Sequence, residues 1–140
     1  MKKLVKTLII ALFCLGTAQI FAQSNKQYKI VFQLTSNDTL VHKALIKQIS
    51  NALTAAPKSK IEVVCHNNGI TMLQSNVTKQ AEGIKKLATQ GVVFAACENT
   101  MKERKIDKST IVSEAIFVPA GIIEIADKQD KKWAYIKAGF

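Results

Sequence analysis

Two kinds of apolar spacing alternate along the chain. Residues 28–34 (YKIVFQL) hold Ile30, Val31, Phe32 and Leu34 close together, the pattern of a largely buried strand. The turn-forming run Thr35-Ser36-Asn37-Asp38-Thr39 follows. Val41, Leu45, Ile49, Ala52 and Leu53 then recur at helical spacing, with Lys43, Lys47 and Gln48 elsewhere on the circumference. This predicts an amphipathic helix of about four turns, ended by Pro57 and the Lys58-Ser59-Lys60 turn. Residues 61–65 predict a second strand and His66-Asn67-Asn68-Gly69 a loop. The apolar residues 70–73 are expected to cover a site or pack on a partner. Ser75 or Asn76 is expected to cap a second helix with Val77, Ala81, Ile84, Leu87 and Ala88 inward.

Gly91 supplies the left-handed position that closes that helix, and 92–96 (VVFAA) is a continuous apolar run, as in a strand buried on both faces. It delivers Cys97 at its far end. Residues 98–105 predict a short charged helix, 107–110 a polar stretch and 115–118 a fourth strand, broken by Pro119-Ala120-Gly121. A last helix over 122–129 has Ile122, Ile125 and Ala126 inward, and 133–136 is a fifth strand. Alternating strands and helices predict an α/β fold: a three-layer α/β/α sandwich around a five-stranded, mainly parallel sheet.

The first residues follow another logic. Lys2, Lys3 and Lys6, an apolar run over 8–15 and small residues over 16–22 have the layout of a secretory signal peptide, cut after Ala18 or Ala22. The apolar run is too short to span a bilayer, and bulky Phe13 before Cys14 argues against a lipid-attachment site. Residues 1–22 are therefore expected to be a signal peptide and 23–140 a single domain, periplasmic or secreted, with no membrane span after signal removal. Without the three signal lysines, 17 Lys and Arg face 10 Asp and Glu, a mature charge of +7. That balance suits anionic partners. The lysines are scattered and not interleaved with aromatics, which argues against nucleic acid.

With Cys14 removed, Cys65 and Cys97 remain. Cys97 is predicted where a strand ends and a helix begins, a position where unpaired backbone N–H groups and the helix dipole favour a thiolate. An inert buried cysteine is the competing reading. Cys65 ends the preceding strand, and the two thiols are open to three readings: a structural disulfide, a redox pair, or unrelated thiols, the last being favoured. His42 and His66 are the only histidines. His42 lies in the first turns of the first helix, whose start is expected to face the same end of the sheet as Cys97, and could orient or deprotonate a thiol. There is no CxxC or HxxxH spacing, so no metal is expected, and no GxSxG, Walker or GxGxxG motif calls for a cofactor. Asn37-Asp38-Thr39 and Asn76-Val77-Thr78 match the glycosylation acceptor pattern and are read as helix caps.

Several segments together resemble the DsrE/DsrF-like family: residues 28–32 (YKIVF), His42 and Asn51, then 61–69 (IEVVCHNNG), 91–101 (GVVFAACENTM), Val118-Pro119-Ala120-Gly121, and 129–136. The Cys-x-Asn-Thr and Val-Pro-Ala-Gly turns are the specific parts. The resemblance implies a parallel sheet between helices, assembly as a homo-oligomer (trimer or hexamer), and a sulfur carrier or sulfurtransferase forming a persulfide on Cys97. Asn99, Thr100, His42 and Cys65 are the candidate supporting residues, and the sulfur donor and acceptor are unassigned. Best-studied relatives are cytoplasmic, whereas this chain carries an export signal. The alternative reading is a non-catalytic oligomeric module that binds a small anion or a partner.

Overall fold

A parallel sheet needs a crossover after every strand, and the chain provides one each time. The computed structural model describes residues 25–139; the expected signal peptide, with Cys14, lies outside the described residues. The strands are β1 (Lys29–Leu34), β2 (Lys60–Cys65), β3 (Val93–Cys97), β4 (Ala115–Val118) and β5 (Ala134–Lys137). The helices are α1 (Thr39–Ala55), α2 (Ala81–Thr89), α3 (Glu98–Glu103) and α4 (Gly121–Asp130), with 3-10 turns at Asn67–Met72 and Lys108–Thr110. The five strands form one sheet in the order β4-β3-β2-β1-β5, and every adjacent pair is parallel. This is the α/β fold expected.

Handedness decides which helix covers which face. From β1 to β4 each strand is added on the same side of the last, so right-handed crossovers put all their connections on one face. There Phe32, Leu34, Ile61, Val63 and Phe94 pack with Leu45 and Ile49 of α1 and Ile84 and Leu87 of α2. The step from β4 back across the sheet to β5 runs the other way, so α4 lies on the second face. Val31, Val64, Ala95 and Val118 pack there with Ile125, and Trp133 leans against them. Successive strand residues point to opposite faces. A residue's parity therefore decides its layer.

Local chemistry sets most boundaries where the sequence predicts them. The Asp38 carboxylate accepts from Leu40 N at 2.8 Å, capping α1; replacing such a cap with Ala costs about 1 kcal/mol. Gly91, at φ +86°, stops α2.

Three expectations are corrected. The second helix starts at Ala81, not at a Ser75 or Asn76 cap, because Ser75 is tied across the chain: its N–H and its hydroxyl both donate to the Thr110 carbonyl, at 2.7 and 3.0 Å. Val77 is exposed as a result. Residues 70–73 cover no partner surface; Ile70, Met72 and Leu73 are fully buried in the first core. In α4, Ile125 faces the sheet as predicted, but Ile122 and Ala126 face solvent, and the inward positions beside Ile125 are Gly121 and the half-buried Lys128.

Candidate functional site

Adjacent strands whose following connections leave for opposite faces open a crevice beyond their carboxyl ends. β3 is followed by α3 on the first face, where Met101 joins the core, and β4 by α4 on the second. Cys97 is the last residue of β3, in register with Val118 at the end of β4. Topology therefore puts Cys97 at the switch point. It is also the residue preceding α3, with extended dihedrals of −75° and 113°.

The sulfur meets donors from both helix starts. The backbone N–H of Gly121, first residue of α4, donates to Cys97 Sγ at 3.2 Å. The Thr100 hydroxyl and the Thr100 and Asn99 backbone amides turn toward the same atom. Burial alone would push the Cys97 thiol up; these four donors outweigh it and hold the thiol below its ordinary value. Thr100 is itself oriented. Its oxygen accepts from Asn67 N at 3.0 Å, which leaves its hydrogen for the sulfur. Asn99 N also donates to Pro119 O at 3.2 Å, binding the two turns together. Cys97 remains only 4% exposed.

Thr100→Val keeps the shape and removes the hydroxyl. It is expected to raise the pH midpoint of Cys97 alkylation by about one unit, the worth of a hydrogen bond to a charged group. An unchanged midpoint in pH-resolved alkylation would take Thr100 out of the sulfur's environment.

Gly121 is required by close approach. A Cβ there would lie 3.1 Å from His66 Cβ, 3.2 Å from Val64 Cγ1 and 3.4 Å from Cys97 Cβ. The same numbers show that His66, not His42, is the histidine beside Cys97. The Gln33 side chain accepts from the Tyr135 hydroxyl through Oε1, so its amide nitrogen donates to His66 Nε2 at 2.8 Å. This assigns the His66 proton to Nδ1. Burial holds its pKa below the usual histidine value, favouring the neutral ring. His66 continues the parity of Glu62 and Val64 on β2, and that alternation was the signal available in the sequence.

His42 is buried in α1 over the first face, its Nε2 2.8 Å from the Ser36 carbonyl oxygen. It faces a different layer from the Cys97 sulfur. Cys65 also belongs to the first core. It pairs in register with Ala96, and Cys97 is one residue further on with opposite parity. The two sulfurs therefore lie on opposite faces of the sheet and both are free thiols. This geometry rules out the disulfide and the redox pair in this fold. Cys65 is fully buried, and desolvation pushes its thiol well up. Of the sequence-predicted residues, the structure gathers Cys97, Asn99 and Thr100, and leaves His42 and Cys65 apart.

Outside the sulfur's shell, Asn99, Met101, Lys102, Lys108 and Pro119 line an open cleft of about 420 Å³. Lys108 pairs with Glu98 at its rim and lies 4.8 Å over the Phe117 ring. Both partners are substantially exposed, so this pair adds little stability. A second groove of about 390 Å³, lined by Leu53, Pro57 and Lys86 among others, lies between α1 and α2, away from Cys97. The lining of the first cleft includes Glu98, the residue after Cys97, but not Cys97 itself. Among the described residues no group of three or more His, Cys, Asp or Glu side chains is gathered closely enough to hold a metal ion.

Comparison with known proteins agrees with this fold. A solved structure of a Methanobacterium thermoautotrophicum protein of unknown function superposes with a TM-score of 0.75 at 28% identity, covering 79% of this chain and 98% of that one. No curated protein matches. The model of the DsrE/DsrF-like family matches residues 13–138, and with nearly the whole chain matched, the protein belongs to the DsrE/DsrF-like family.

Proposed function

We propose that the protein is a sulfur carrier or sulfurtransferase that holds sulfane sulfur as a persulfide on Cys97. The observation that carries this reading is the Gly121 N–H on Cys97 Sγ at 3.2 Å, at the meeting of two helix starts. Donors fixed around a sulfur favour its anion, and the anion is the nucleophile. The Cys97 thiolate attacks the outer sulfur of a polysulfide or thiosulfate. An S–S bond forms while the donor's S–S bond breaks, and the shortened polysulfide or sulfite leaves with the electron pair. An acceptor thiolate then attacks the outer sulfur of Cys97-S-SH, and Cys97 leaves as thiolate. No net oxidant or reductant is required. Asn99 and Thr100 support the anion through their amides and the hydroxyl.

The layout of residues 1–22 supports an exported protein, periplasmic or secreted. Exposed Ile116, Phe117, Ile122 and Ile123 near the site support assembly into the homo-oligomer that the family resemblance implies. The test is intact mass after incubation with polysulfide or thiosulfate. Gains in steps of roughly 32 Da, removed by Cys97→Ser, support the reading, and a protein that stays at its native mass refutes it.

One observation favours a second reading, a non-catalytic module binding a small anion or a partner: Cys97 is almost fully covered. That reading expects Cys97→Ala to retain binding of sulfite or thiosulfate by calorimetry. Loss of binding in that variant would contradict it.

A further inference from the structure

Helix α4 carries apolar residues on several sides of its first turns. Ile122 and Ile123 are 58% and 60% exposed while Ile125 is buried. Hydrophobicity alone does not select this orientation, and a helix turned by roughly a quarter revolution would bury Ile122 and Ala126 instead. Such a rotation would carry the Gly121 N–H away from Cys97. Something other than apolar burial must fix the helix.

Gly121, Ile125 and Lys128 fall at i, i+4 and i+7, one stripe along α4. They lie against the second-face stripe made by Glu62 and Val64 of β2 and by His66 just beyond its end. At one end Gly121 closes on Val64 and His66. At the other, Lys128 reaches down to the Glu62 carboxylate. Glu62 is 1% exposed, mid-sheet, and its second carboxylate oxygen has no partner. A carboxylate there is costly unless paired, and Lys128 is the cation that meets it. Lys128 is held in turn by Glu124 at 3.2 Å and lies 4.7 Å over the Trp133 ring.

We propose that the Glu62–Lys128 pair is a positioning device for the sulfur site, setting the rotation and height of α4 so that the Gly121 N–H remains on Cys97 Sγ. The inference rests on the reading of Cys97 as the working sulfur. Two fixed points, two helical turns apart, define an axis; Ile125 between them fills space without direction. Glu62 and Lys128 act through Gly121 and touch no reacting atom.

The test is the pH midpoint of Cys97 alkylation, read by iodoacetamide labelling and peptide mapping in the full chain. Glu62→Gln and Lys128→Met are expected to raise it by about one unit. Lys128→Arg, which keeps the pair, and Glu124→Gln, which keeps its buried half, are expected to leave it in place. Leu87→Ala, destabilising through the first core, should lower thermal stability without moving the midpoint. If Glu62→Gln cannot be purified folded, Lys128→Met, altered nearer the surface, carries the same measurement. Midpoints unmoved in the folded pair variants, or moved equally by Leu87→Ala, overturn the proposal. Sulfur uptake measured on the same samples separates the two claims. A wild type that takes up no sulfur but shows the shifts loses the carrier reading and keeps the positioning device. Uptake with unmoved midpoints does the reverse.

Discussion

Cys97→Ser is expected to abolish sulfur uptake, and Cys65→Ala to leave it at the wild-type level. A serine oxygen cannot form the S–S bond, and among the described residues no second thiol is placed to replace it. Cys65 is fully buried on the other face of the sheet, with its thiol held in the protonated form by desolvation. The backbone donors around position 97 would survive the substitution, so the loss reports the sulfur itself. Intact mass after exposure to polysulfide is the measurement. Uptake that persists in Cys97→Ser and vanishes in Cys65→Ala would reverse the assignment.

The largest effect on stability is expected from Gly69→Ala. Gly69 lies in the 3-10 turn Asn67–Met72, where its backbone presses on the end of β1. An added Cβ would lie 2.1 Å from the Leu34 carbonyl oxygen and 2.5 Å from its carbon. Those atoms are main chain at the carboxyl end of the inner strand β1, and the Leu34 carbonyl also accepts from His66 N at 3.1 Å. No flexible side chain is available to yield. A cost of about 3 kcal/mol or more follows, at the upper end for overpacked sites, read as a fall in the urea midpoint. Because His66 and Asn67 lead into this turn, the damage should reach Thr100 and Cys97 as well. A stability within about 0.5 kcal/mol of wild type would contradict this packing.

The strands and their order of appearance were legible because strand and helix spacings differ so plainly here. Residues 92–96 read as a buried strand, which the structure places at Val93–Cys97, and Gly91 before it takes the positive φ expected there. Cys97 at a strand-to-helix junction was legible for the same reason. Sidedness was not. His42 and Cys97 do sit toward the same edge of the sheet, but α1 covers the first face while the Cys97 sulfur faces the second. That difference follows from register and crossover direction, which no local spacing encodes. His66 extends the parity of β2, but the Asn67-Asn68-Gly69 run after it has the composition of a loop and hides that alternation. The rotation of α4 was misjudged because Ile122 and Ala126 complete an apolar stripe with Ile125 as well as any other. The part-buried Glu62–Lys128 pair, 66 residues apart in sequence, joins a strand residue to a helix residue, and neither spacing brings them together.

All of these features converge on one atom. The switch point brings two helix starts together, Gly121 and Thr100 supply donors, and the sheet keeps Cys65 on the far side. The direct measurement is the rate of alkylation of Cys97 in the wild-type protein as a function of pH, with a free cysteine peptide under the same conditions. The midpoint for Cys97 is predicted to lie below that of the peptide, with Cys65 unlabelled until the protein unfolds. A Cys97 midpoint at or above that of the peptide would contradict a sulfur held as an anion by the donors of this site.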